Sequence, residues 1–318
     1  MPAYQRGAKG AEVSRIQTRL TELNLYGGRV DGDFGGGTES AVLAFQRSRG
    51  LASDGVVGPD TWKALFDDAP LIAPAILSEP LAYRTLALTG AFETDAVPPD
   101  CFAGLSGDFD QQGMSFGVCQ WNLGQGSLQP LLQSMDRQHS AVIDDVFGPH
   151  AAEFRGMLLS PLDDQLAWAR SIQNQRFVIS EPWRGLFRTL GRRKEFHAIE
   201  VAAAAKLYGD AVALCRTFGV RSERAAALMF DIKVQNGSIS LTTQAQIERD
   251  FRSIAPENPE AEVERLRIIA IRRAEAANPK WISDVRARKL TIANGVGTVH
   301  GAHYDLEAQY GITLKPLG

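Results

Sequence analysis

One octet pattern, Asp-Gly-x-x-Gly-x-x-Thr, occurs twice near the start of this chain, as "DGDFGGGT" at 31–38 and "DGVVGPDT" at 54–61. Each copy leads into a short apolar stretch, "ESAVLAFQRSRG" after the first and "WKALF" after the second. Asp-Gly makes a tight turn because glycine tolerates positive φ. The threonine, or a neighbouring aspartate, can cap the helix that follows. Pro59 sits near a helix start, where its missing N–H costs little. Upstream, "AEVSRIQTRLTEL" spaces Val13, Ile16, Leu20 and Leu23 by three and four, one helical stripe, and Ala41, Val42 and Phe45 make a matching face. A repeated turn-helix module of this kind predicts a compact three-helix unit.

The stretch from Gly7 to Phe66 resembles the peptidoglycan-binding domain found at the ends of cell-wall hydrolases. The matching positions include Gly10, Gln17, Asp31, Gly32, Phe34, Thr38, Gln46, Asp54, Gly55, Pro59, Thr61 and Trp62. Most of these are core, turn and cap positions, so they are not each expected to touch ligand. The resemblance implies anchoring to bacterial peptidoglycan, which raises effective concentration beside an insoluble polymer. The bland alternative is a stabilising helical cap.

The expected organisation is a wall-binding domain at 1–67, a proline-containing linker at 68–79 and a catalytic domain at 80–318. Pro70, Pro74 and Pro80 make the intervening segment a semi-extended spacer. A length of 318 residues suits two domains. The formal net charge of -3 implies no global pull toward nucleic acid or anionic lipid. No apolar run approaches the roughly 20 residues a bilayer span needs. The N-terminus has no apolar stretch of the kind a signal peptide carries. Cys101, Cys119 and Cys215 lack metal-ligand spacing and read as free, mostly buried thiols; a bridge between Cys101 and Cys119 stays open.

The chemistry is expected after Leu81. "LAYRTLALTGAFET" reads as an apolar helix with Glu93 at its C-terminal end, before Pro98 and Pro99. The negative end of the helix dipole and apolar neighbours both disfavour ionisation there, which suits a general acid. The alternative is a solvated glutamate at a frayed end. A turn-rich passage follows, then "GDFDQQGMSFGVCQWN" at 107–122, then a helix from about Ser127. Helix, glutamate, irregular β-like segment with aspartate, next helix is the layout of the lysozyme superfamily, to which this region is similar.

The passage more closely resembles the chitosanase branch of that superfamily, through "LTGAFE" at 88–93 and "DQQGMSFG" at 110–117. The resemblance implies Glu93 as general acid and Asp110 as general base. Asp110 is chosen over Asp108 because it alone stands three residues before the glycine of the frame. Ser115 falls where the family has a threonine that helps position the attacking water. Met114 replaces the usual aromatic, a departure. "FDIKVQNGSI" looks like a family segment in which a helix ends near a Phe-Asp pair and Gln-x-Gly, which makes Asp231 a buried, ion-paired structural aspartate. Gln235 and Asn236 either reach the cleft or form an Asn-Gly turn.

Gln120, Trp121 and Asn122 have the amide and aromatic chemistry of sugar recognition, against core packing for Trp121. His300 and His303 sit in a glycine-rich loop without metal-ligand spacing. Arg192, Arg193 and Lys194 read as a solvated basic loop. The remainder, 140–290, reads as helices supporting a cleft.

The expected fold is mainly α: a small three-helix peptidoglycan-binding domain plus a larger lysozyme-like α+β domain with a short β segment at the cleft. The expected function is a muramidase- or endolysin-type glycan-strand hydrolase, inverting if the chitosanase likeness extends to mechanism. It needs no cofactor or metal, acts as a monomer on peptidoglycan, and has no nucleic-acid partner or membrane insertion. A holin-released phage endolysin, made in the cytoplasm, is the expected setting. A chitosanase, a lytic transglycosylase and a non-catalytic wall-binding or virion protein are the alternatives.

Overall fold

Both octets fold as turns read by a buried glutamine of the preceding helix. The computed structural model describes residues 3–67, 71, 73–255, 258 and 260–318. Helix α1 spans Ala11–Glu22, α2 Gly36–Arg49 and α3 Pro59–Phe66. From α1, Gln17 Nε2 donates to Asp31 Oδ1 (2.9 Å), the Asp33 carbonyl (2.9 Å) and Thr38 Oγ1 (3.1 Å). Its Oε1 accepts the Gly32 N–H at 2.8 Å. From α2, Gln46 repeats the pattern on Asp54 Oδ1 (2.8 Å), the Val56 carbonyl (3.0 Å), Thr61 Oγ1 (3.1 Å) and the Gly55 N–H (2.9 Å). Gly32 and Gly55 adopt the positive φ that the Asp-Gly turn requires, +74° and +75°. Capping differs from expectation: Gly35 and Gly58 occupy the N-cap positions without a side-chain bond, because each threonine hydroxyl is turned to its glutamine. Val13, Ile16, Leu20, Phe34, Phe45 and Trp62 form the core between these helices.

Of the expected linker, residues 68–70 and 72, Pro70 among them, lie outside the described residues; 75–78 make one 3-10 turn. By packing, the chain divides into two units, 1–85 with 211–318, and 86–210. The division falls inside helix α4, Leu81–Thr94, and inside a later long helix.

The second unit holds a three-stranded antiparallel sheet, ordered β1 (Leu105–Ser106), β2 (Ser115–Phe116) and β3 (Trp121–Asn122). Then come α5 (Gln129–Gln138), α6 (Ser140–Phe147), α7 (Ala151–Leu159), α8 (Leu162–Ser171), α9 (Trp183–Gly191) and α10 (Lys194–Phe218). The core of this unit is aromatic. Phe116 stacks on Phe196 at 5.2 Å and meets Phe187 edge-on at 5.3 Å, and Phe147 stacks on Phe154 at 4.3 Å. Such pairs add about 0.5–1.5 kcal/mol each beyond area burial.

The rest of the first unit comprises α11 (Glu223–Asn236), α12 (Leu241–Phe251), α13 (Ala261–Glu275), α14 (Ile282–Asn294), the hairpin β4 (Val296–Val299) and β5 (Ala302–Asp305), and α15 (Leu306–Tyr310). Residues 225–232 of α11 are all buried, wider than one apolar face. Asp231 is fully buried, as expected for a structural aspartate. It accepts from Arg288 at 2.6 Å and from Lys289, both of α14. Burial alone would push its carboxyl up, but the two cations outweigh burial and hold it below the ordinary aspartate range. The glycine-rich stretch at 295–301 is the β4–β5 hairpin, with His300 and Gly301 at its turn. The basic run is paired rather than simply solvated: Arg192 meets Asp100 at 2.9 Å, and Arg193 pairs with Asp145. The described chain is thus mainly α with short β segments. None of its described helices is long and apolar enough to cross a membrane.

Candidate active site

Helix α4 ends one residue after Glu93, which is half-buried. Its last turns pack on the small sheet. A side-chain carbon added at Gly90 would meet Val118 Cγ2 at 2.3 Å, and one at Gly104 would meet Thr94 Cγ2 at 2.4 Å and Gln120 Nε2 at 2.9 Å. The two glycines therefore let the helix end, the start of β1 and the β2–β3 turn approach closely. The Gly117 N–H donates to the Gly104 carbonyl at 2.8 Å and closes the contact.

Between β1 and β2 the chain makes a tight loop. Asp110 is exposed, and its Oδ1 accepts the Gln112 N–H at 3.2 Å. Asp108 is buried, accepts the Gly113 N–H at 2.6 Å and pairs with Arg170 of α8 at 2.6 Å. Its own N–H donates to Gln173 Oε1 at 2.8 Å. Asp108 is thus the brace of the loop and Asp110 the carboxylate offered to solvent. The arginine partner, 62 positions along the chain, left no local trace in the sequence.

The sheet register puts Ser106, Ser115 and Asn122 on one face, and Leu105, Phe116 and Trp121 on the other. Ser115 is 6% exposed, and Trp121, at 8%, shares its face with the core ring of Phe116. Met114 is fully buried. Trp121 and Met114 are therefore packing residues here. Gln120 uses both ends of its amide internally, donating to the Gly117 carbonyl (3.0 Å) and accepting from Ser106 Oγ (2.6 Å). Asn122 Oδ1 accepts the Gln125 N–H at 2.8 Å.

Gln235 and Asn236 belong to the other packing unit, at the end of α11 before Gly237. Gln235 bridges Asp284 Oδ2 (2.8 Å) and Lys289 Nζ (2.7 Å). His300 Nε2 lies 2.6 Å from the other oxygen of Asp284. Asn236 Oδ1 is buried without a hydrogen-bond partner among the described residues.

Sequence reasoning passed over Glu200. It lies in α10, fully buried, and its Oε1 accepts the Val118 N–H at 2.8 Å while Oε2 has no hydrogen-bond partner among the described residues. Burial pushes its carboxyl well above the usual range, against the smaller opposing effect of the Val118 N–H. Gly117, at φ +88°, is obligatory beside it, because an added carbon would sit 2.0 Å from Glu200 Oε1. The available signal was one acid inside the apolar run "AIEVAAAA".

None of the three cysteines is in a disulfide, so no Cys101–Cys119 bridge forms. Burial raises the Cys101 thiol strongly and pushes the Cys215 thiol up to about 12. No group of three or more His, Cys, Asp or Glu among the described residues could hold a metal ion.

Residues 9–65 match the family described as "Putative peptidoglycan binding domain". The same segment is 46% identical over 65 residues to the N-acetylmuramoyl-L-alanine amidase CwlM of Mycobacterium tuberculosis, covering 20% of this chain and 16% of that protein. It is 46% identical over 61 residues to a spore cortex-lytic enzyme of Bacillus cereus, covering 19% and 24%. The chain thus spans a quarter or less of the length of these relatives. Among solved structures, a Gynuella sunshinyii chitosanase bound to chitotetraose is similar over 72% of this chain and 98% of that one, at 14% identity and a TM-score of 0.48. A match of that strength is too distant to assign a fold or an activity.

Proposed function

We propose that this protein is a peptidoglycan glycan-strand hydrolase of the muramidase type, with residues 1–67 binding the wall and residues 80–318 carrying a lysozyme-like catalytic domain. The observation that carries the chemistry is the layout around the small sheet. Glu93 stands half-buried at the end of α4, and the loop before β2 offers Asp110 to solvent while Asp108 and Arg170 brace it. The family match at residues 9–65 supports the substrate.

On this reading Glu93 protonates the glycosidic oxygen as the bond breaks. Asp110 takes a proton from the attacking water, which inverts the anomeric centre. Ser115, on the sheet face it shares with Ser106 and Asn122, helps hold that water. Gln120 and Asn122 act mainly by shaping the turn, because their amides are engaged within the protein. Gln235 is likewise engaged, by Asp284 and Lys289, and the Asn236 oxygen is buried, so this reading gives neither a sugar contact.

Purified peptidoglycan is digested and the new ends are identified by mass spectrometry. Free reducing sugars are expected from the natural chain and none above background from Glu93→Gln. Anhydro ends would replace this reading with lytic transglycosylase chemistry, and wall lysis unchanged by Glu93→Gln would remove the glycosidase reading.

A further inference from the structure

A recess of about 270 Å³ lies in the second unit beside the loop that carries Asp110. Gly107 and Phe109 form one wall; Arg176, Phe177, Arg184 and Arg188 belong to the others. Two large rings stand in water here, Phe109 at 58% exposure and Phe177 at 46%. Three guanidinium groups surround them, and no acidic side chain lines the recess among the described residues. Glu181 pairs with Arg184 at 2.8 Å in an exposed setting, which contributes little. The Glu181 carboxylate also feels Arg188, again in an exposed setting.

The recess is built rather than accidental. Asn174 Oδ1 accepts the N–H groups of Arg176 (2.9 Å) and Val178 (3.1 Å), and the Asn174 N–H donates to the Val178 carbonyl at 3.0 Å. This winding forces Phe177 to φ +59°, a conformation rarely adopted by an aromatic residue. The Phe177 carbonyl in turn lies so close to Gly107 that an added carbon would sit 2.2 Å away. The arginine loop and the aspartate loop are therefore held together by backbone contact. Gln173 strengthens the join by accepting the Asp108 N–H.

We propose that this recess is a subsite for the carboxylates of the short stem peptides borne by the glycan strand. The proposal rests on the peptidoglycan-hydrolase reading and names what the enzyme recognises beyond sugar. Guanidinium groups match carboxylates in pairs of parallel hydrogen bonds, and the exposed rings bury the aliphatic parts of a peptide. A polymer of free glucosamine carries positive charge and is repelled by the same arginines. The subsite thus selects acidic, peptide-bearing strands over cationic ones, and it shares Gly107 and Phe109 with the loop that carries Asp110.

The test is titration calorimetry of the full chain and of Arg176→Ala/Arg188→Ala. One probe is the disaccharide tetrapeptide released from purified peptidoglycan, and the other is the same disaccharide without peptide. Both chains keep the N-terminal domain, so any binding there cancels. The double variant is expected to bind the peptide-bearing probe about tenfold more weakly, roughly the worth of one charge-assisted pair. Binding of the peptide-free probe is expected to be unchanged, and Arg176→Glu/Arg188→Glu is expected to be weaker still. Added salt is expected to narrow the difference. Equal affinity of both chains for the peptide-bearing probe overturns the proposal, as does an equal loss on both probes. Turnover is not needed for this measurement, so a chain that releases no reducing ends sinks the hydrolase reading separately.

Discussion

At the scale of single residues, two aspartates two positions apart have opposite environments. Asp110 is exposed and holds only a local N–H, whereas Asp108 is buried on Arg170 and the Gly113 N–H. Asp108→Ala is expected to lower stability by about 1–3 kcal/mol, the usual cost of leaving a buried donor unpaired. Asp110→Asn is expected to melt like the natural chain while losing about a hundredfold or more in turnover. Urea melts and reducing-end assays on the two variants check this, and retained activity in Asp110→Asn removes it as the base. Glu200 makes a different prediction. Below the unfolded-state value near 4.3, both states are protonated and its contribution is complete. Above that, the unfolded chain releases the proton while the buried carboxyl keeps it, so stability falls as pH rises toward the raised folded value. Glu200→Gln keeps an oxygen for the Val118 N–H and cannot titrate. The natural chain should therefore lose stability relative to this variant as pH rises from 4 to 8, and parallel curves would refute the assignment.

At the scale of elements, the N-terminal module is one device used twice, a helix glutamine reading an Asp-Gly turn. Gln46→Glu preserves shape but removes the two amide hydrogens that face Asp54, the Val56 carbonyl and Thr61, and sets a carboxylate against Asp54. A cost of at least about 2 kcal/mol is expected, along with weaker sedimentation with sacculi. An unchanged melting transition would show that the turn does not depend on the glutamine. The turns and helices of this module were legible in the sequence because Asp-Gly chemistry and a three-and-four apolar spacing act within a few residues. The threonine role was not, because a hydroxyl chooses between a local cap and a glutamine 21 or 15 positions back, and packing makes the choice. The small sheet was legible only as a β-like segment: its strands are two residues long, too short for an alternating pattern.

At the scale of the whole molecule, the N-terminal 85 residues pack as one unit with 211–318. Gln5 donates to Asp305 at 2.6 Å, and Gly7 lies against the His303 carbonyl. Removal of residues 1–67 is therefore expected to weaken sacculus binding and also to lower the melting temperature of what remains. Calorimetry of the truncated chain checks this, and an unchanged transition would fit a freely tethered module instead. By itself the sequence determined the mainly helical character, the duplicated turn-helix module and the helix end near Glu93, because each depends on short-range backbone preference and periodicity. The tertiary structure alone decided which aspartate is braced, that Glu200 lies buried under a turn, that Trp121 faces core, and that three arginines gather at the recess lined by Phe109. Those outcomes depend on burial and on partners far apart in the chain, 62 positions for Asp108 and Arg170 and 82 for Val118 and Glu200. No local pattern encodes such pairings; only the packed chain brings the groups together and removes the water that would otherwise screen them.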